Sequence, residues 1–180
     1  MCEIAKGRAE VCKDSFGGLK AIYFVNFQIA TSDVTYDATN TDMITAVTNV
    51  DVLYKYDLRG ENLFDQDIAT DRNAGTTIVT QKLAIKLKKK DVSTTKIVKL
   101  LAYGRPHIVV ADMNNNFFLM GLENGCELTG GNITSGTTGK DFNGYSLTFQ
   151  AEEKTPANHL NAATQTAMLA LFTSATLITS

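Results

Sequence analysis

Few side chains in this sequence have the type and spacing that chemistry requires. Its 180 residues include two histidines, His107 and His159, and three cysteines, Cys2, Cys12 and Cys126. A metal site needs clustered ligands, as in Cys-x-x-Cys, and these five residues are scattered. His107 follows Pro106 at the head of an apolar run and reads as structural or surface-lying. Cys126 has acidic company in Gly125-Cys126-Glu127, which would raise a thiol pKa and disfavour a nucleophile. Asp65, Asp67 and Asp71 with Gly75 sketch a calcium loop, but Gly and Glu are missing from its sixth and twelfth places. Gly139-Lys140 is followed by Asp141, not Ser or Thr, and Thr134 stands where a phosphate loop would begin with Gly. Gly144-Tyr145-Ser146-Leu147-Thr148 lacks the second glycine of a nucleophile elbow. Lys86, Lys88, Lys89 and Lys90 could touch phosphate, yet a lysine run at a strand end is most simply a solvated face. The expectation is therefore no enzyme, no cofactor and no metal.

The elements that carry these residues are easier to read. Val79, Leu83, Ile85 and Leu87 share one side of a pleat, with Gln81 as the one polar member. Thr80, Lys82, Ala84, Lys86 and Lys88 share the other, which predicts a long, half-buried strand over 76–88. A partner strand over 63–69 and the polar tip Asp71-Arg72-Asn73-Ala74-Gly75 make residues 62–90 an extended hairpin arm. Two isolated strands are at best marginally stable in water, so the body of the fold or another copy must cover this arm. Further strands are predicted over 20–29, 50–58, 107–111, 117–122, 127–133 and 145–152. Residues 30–48 read as a loop or two short strands. One helix is predicted over 93–103, capped at its start by the Asp91–Thr95 segment and stopped by Gly104 and Pro106. Residues 162–172 have helical composition and 175–179 read as a closing strand. The fold class is mainly β: a sandwich or small barrel with one flanking α-helix and a long hairpin arm. One domain over 1–180 is expected, with a possible C-terminal extension over 156–180.

Composition narrows the partners. The chain is 44% hydrophobic and its formal net charge is −2, which disfavours a general nucleic-acid binder. The charge is unevenly spread. Residues 1–76 carry 7 Lys/Arg against 12 Asp/Glu, residues 77–110 carry 8 against 1, and residues 111–180 carry 2 against 6. A basic centre between acidic ends is either a solvated face or one half of a contact between copies of the chain. The odd cysteine count and the charged start MCEIAKGRAE point to reduced thiols, and no apolar run is long enough to span a bilayer.

The order of strands, long hairpin, single helix and further hairpins resembles the tail tube (major tail) proteins of bacteriophages and the tube proteins of contractile injection systems. The residues that carry the resemblance cover about 50–155. They are Asn73-Ala74-Gly75-Thr76-Thr77 leading into Thr80-Gln81-Lys82-Leu83, the helix ending in Gly104-Arg105-Pro106, and Phe118-Leu119-Met120-Gly121 through Gly136 to Asp141–Phe149. The resemblance implies a virion structural protein of the tail, made and assembled in the host cytoplasm. It implies hexameric rings stacked into a tube, contacts with other virion proteins, and DNA passing the lumen without specific binding. The arm would then touch neighbouring copies through Asp65, Asp67, Asp71, Arg72, Asn73, Lys82, Lys86 and Lys88. If the lysine face lined the lumen, it would need acidic partners such as Asp51, Asp57 or Glu61 from a neighbour. Capsid decoration, a head–tail connector ring and a ligand-binding β-domain are the alternatives, the last weakened by the absence of Trp.

Overall fold

The computed structural model describes residues 6–173 and 175–179. Cys2 lies outside them. The strands are β1 (Leu19–Val25), β2 (Val34–Tyr36), β3 (Met43–Val47), β4 (Val52–Asp57), β5 (Leu63–Asp71) and β6 (Thr76–Lys88). After helix α1 (Val92–Leu101) come β7 (His107–Asp112), β8 (Phe117–Met120), β9 (Glu127–Thr134), β10 (Gly144–Glu153) and β11 (Asn158–Leu160). Helix α2 (Gln165–Leu171) and β12 (Thr176–Thr179) complete the chain. The protein is mainly β, with an eight-stranded sheet in the order β12-β4-β1-β7-β8-β11-β3-β2 and a four-stranded sheet in the order β5-β6-β10-β9.

Two cores sit on opposite faces of the large sheet. One face gathers Tyr23, Ile44, Leu53, Val109 and Leu119, with Met168 of α2 and Phe172 behind them. These residues come from both flanks of the strand order, so the sheet curls around them. The other face of β1, β7 and β8 presents Ile22, Phe24, Ile108, Val110 and Met120 to Leu83, Ile85, Tyr145, Leu147 and Phe149 of the small sheet. Strands buried on both faces need unbroken apolar runs, which explains Ala21–Val25 and Ile108–Ala111. It also explains Leu53, alone among charges on its side of β4 and fully buried.

The hairpin gets its cover from this arrangement. β6 pairs with β5 from Thr76 to Ala84, and with β10 from Val79 to Lys88. Phe64, Val79, Leu83 and Ile85 pack inward, while residues 68–78 run on past the end of β10. The chain turns through Arg72–Gly75, where Asp71 Oδ1 accepts from the Asn73 and Ala74 amides (2.7 and 3.2 Å) and Gly75 has φ +65°. β6 then runs straight into α1. Asp91 caps that helix by accepting from the Thr94 amide (2.7 Å) and from the Ser93 and Thr94 hydroxyls, which draw its carboxyl down to about 2. Tyr145 anchors the same point: its hydroxyl donates to Asp91 O at 2.9 Å.

One sequence expectation changes. The helix stops at Leu101 rather than at a left-handed Gly104, because Ala102 makes a right-handed C-cap and Gly104 N–H still reaches Leu100 O (3.0 Å). Residues 31–47 fold as a 3-10 turn followed by the β2–β3 pair, the two short strands that their sequence allowed. The C-terminal residues do not trail from the body. β11 bridges β8 and β3, and β12 joins β4 in parallel.

Candidate functional site

The residues with chemical potential are engaged in holding the fold. His107 is buried; its Nδ1–H donates to Gly121 O (2.7 Å) and its Nε2 accepts from the Ile29 amide (3.2 Å). Burial holds its pKa below the ordinary imidazole value. Gly121 N–H in turn donates to Gln81 Oε1 (3.0 Å), and Gln81 Nε2 donates to Thr155 O (3.3 Å). This network joins the two sheets and answers for the one polar side chain on the inner face of β6. Gly121 has φ +71°, and a Cβ there would come within 2.5 Å of Cys126 Sγ. The Cys126 thiol is pushed well up, first by burial and then by Glu153, whereas the sequence pointed to its chain neighbours. Cys12 and His159 are exposed. Asp141 accepts from the Thr137 and Thr138 amides (2.8 and 2.6 Å), so its own carboxylate occupies that loop's donors. Among the described residues no group of three or more His, Cys, Asp and Glu could hold a metal ion.

What the fold leaves open is the small sheet. Its inner face is sealed against the large sheet, and its outer face is solvent-facing across four strands. In register, Asp65 lies opposite Lys82, which lies opposite Gln150, which lies opposite Glu127. The next rows are Asp67, Thr80 and Glu152 on one side, and Leu63, Ala84, Thr148 and Gly130 on the other. Lys86 stands beside Ser146 and Asn132, and its Nζ meets Glu61 Oε2 at 2.7 Å. Alternation along β6 thus puts all three lysines on a surface whose carboxylates outnumber them.

The candidate contact residues therefore divide. Asp65, Asp67, Lys82, Lys86 and Lys88 lie on the sheet face. Asp71, Arg72 and Asn73 lie at the tip, well beyond it. The acidic partners are on the same chain: Glu61 pairs with Lys86 and Asp65 sits across from Lys82, while Asp57 is spent on Lys55 (3.1 Å). Residues around 61–65 were therefore the ones to look for, since a hairpin sets them directly opposite the lysines.

Among the described residues both edges of this sheet are unpaired. β5 is hydrogen-bonded only to β6 and β9 only to β10, so among the described residues their outward backbone groups have no strand partner. A long edge strand with free N–H and C=O groups is a template for pairing with another chain. Comparison with protein families, with curated proteins and with solved structures finds no match to this chain. No helix among the described residues is long and apolar enough to cross a membrane.

Proposed function

We propose that this chain is a tail tube subunit that forms hexameric rings stacked into a hollow conduit for DNA. The observation that carries the reading is the four-stranded antiparallel sheet with two free edges and one free, acidic face. In the order β5-β6-β10-β9, the two edge strands run in opposite directions. A rotation that carries one copy onto the next sets β9 beside the neighbour's β5, antiparallel. Successive copies then extend one continuous sheet that closes into a ring through a repeated heterologous contact.

Strand spacing fixes the scale. Four strands at ~4.8 Å each contribute ~19 Å of circumference. Six copies close at a backbone diameter of ~37 Å, which leaves a lumen for a duplex once side chains are added. Three copies would close at ~18 Å, with no usable lumen. The face turned to the lumen would be the outer face of the small sheet, because the inner face is the protein's own core. Its carboxylates, Glu61, Asp65, Asp67, Glu127 and Glu152, exceed its lysines, so a phosphate polymer would slide without sticking.

Negative-stain electron microscopy of the purified chain tests this. Six-fold rings or long hollow filaments are expected. A monodisperse monomer at high concentration, or twelve-fold rings of connector type, would overturn it.

A further inference from the structure

A cleft runs between β4 and α1, beside the end of β6. It joins two cavities of about 340 and 390 Å³ that share Tyr56 as a wall. Thr94 lines the first, and Ile97 and Leu101 line the second. Spacings of three and four put these side chains on one face of α1, about 10 Å from end to end. The β4 side runs in the opposite sense, with Tyr54 in the second cavity and Asp57 and Arg59 in the first. The two ends differ in kind. The first is walled by Lys55, Arg59, Lys86, Lys88 and Lys89, against the single carboxylate of Asp57. Asp57 takes up Lys55 and Glu61 takes up Lys86, at 3.1 and 2.7 Å. Arg59, Lys88 and Lys89 have no such partner among the described residues. The second is walled by Phe24, Phe27, Tyr54, Ile97 and Leu100, and its charged residue, Arg105, lies over the Phe27 ring at 4.8 Å. Phe27 is 45% exposed and Leu100 61% exposed, so apolar surface there is open to be covered.

We infer that this cleft binds a small anionic amphiphile, a free carboxylic acid with an alkyl chain. Its head sits among Arg59, Lys88 and Lys89, and its chain lies between Tyr54, Ile97 and Leu100. Charge complementarity fixes the head. Three cations without a carboxylate partner, in a chain of net charge −2, mark one place where an anion gains charge-assisted hydrogen bonds. The second cavity fixes the body. Among the described residues its polar side-chain groups are Asn26, Arg105 and two tyrosine hydroxyls. A nucleobase would leave much of its edge unpaired there, whereas an alkyl chain has no polar edge to satisfy and gains with each methylene covered. Size favours a small molecule over a protein. Both cavities fall within the range of ligand pockets, and a stable protein partner covers ~800 Å² on each side. The site goes beyond the tube reading and does not depend on it.

Isothermal titration of the full chain with decanoate, below the concentration at which either assembles, tests this. Saturable one-to-one binding is expected, with decanol and inorganic phosphate each weaker by at least about tenfold. No saturable binding overturns the inference, and so does decanol as tight as decanoate. Phosphate as tight as decanoate overturns it in favour of a bare anion site, and a nucleoside monophosphate tighter than decanoate in favour of a nucleotide site. Protein that sediments with phosphatidylglycerol vesicles yet ignores free decanoate overturns it in favour of a membrane-facing surface. Arg59→Glu with Lys88→Glu should weaken decanoate by at least about tenfold, and Leu100→Asp should do the same from the other end. Unchanged affinity in either variant overturns the inference. Should a variant misfold, a nitroxide on the terminal carbon of the chain decides on the unaltered protein. It should broaden the amide resonances of Ile97–Leu101 beyond those of Lys88, Lys89 and Thr94; equal broadening, or the reverse order, overturns the inference.

Discussion

Between Val79 and Ile85, β6 buries every second side chain beneath the large sheet; between Thr76 and Ile78 the same strand buries nothing. Local chemistry does not separate the two stretches. Both are rich in β-branched residues, and both pair with β5. They differ in what lies beside and below them: β10 and the apolar face of β1, β7 and β8 for the base, solvent for the tip. A strand pattern therefore reports a capacity to be covered, and the fold decides which part is covered by the chain itself. The uncovered part is where a second copy has the most to gain.

The strongest way to break this contrast is to remove the tip. Replacing residues 68–78 with a two-residue Asn-Gly turn should abolish tube growth while thermal unfolding of the body stays within a few degrees. Tube growth that survives, seen by electron microscopy, would remove the tip from the interface. Next in size is the base. Leu83→Ala, fully buried between the sheets, should cost about 2–5 kcal/mol in urea unfolding. Gln81→Ala should follow at about 1–3 kcal/mol, because it orphans the buried Gly121 N–H. The matching tip change, Ile68→Thr, should fall within about 0.5 kcal/mol in the same assay.

The smallest effect lies where the hairpin enters α1. The Asp91 carboxyl, held at about 2 against an ordinary 3.8, stabilises the fold fully above pH 4. That contribution drains away as pH falls through 2, because the protonated cap no longer accepts as strongly. Circular dichroism should show helix and melting temperature falling over that window, and Asp91→Asn should flatten the dependence.

Much of this was legible in the residues. The bounds of β6 follow from strict alternation, and the position of α1 follows from Asp91 and the stripe at Ile97, Val98, Leu100 and Leu101. β11 was not legible: Asn158-His159-Leu160 is three residues long and is a strand only because β8 and β3 leave a gap there. Leu53 shares its side of β4 with Asp51, Lys55 and Asp57, and alternation cannot tell that a curled sheet encloses that side too. At the candidate site, Lys82, Lys86 and Lys88 were visible as one face. The identity of their acidic neighbours was not, because it depends on hairpin register, which the turn at Arg72–Gly75 sets. The free edges of β5 and β9 are a property of strand order, and no local pattern encodes strand order.

The central claim is that copies join β9 to β5, edge to edge. Amide hydrogen exchange of the chain as monomer and as assembly measures those edges directly. The outward amides of Leu63–Asp67 and Glu127–Thr134 should exchange freely in the monomer and slow by about a hundredfold or more on assembly. Assembly that leaves both strands exchanging as fast as in the monomer would contradict the account.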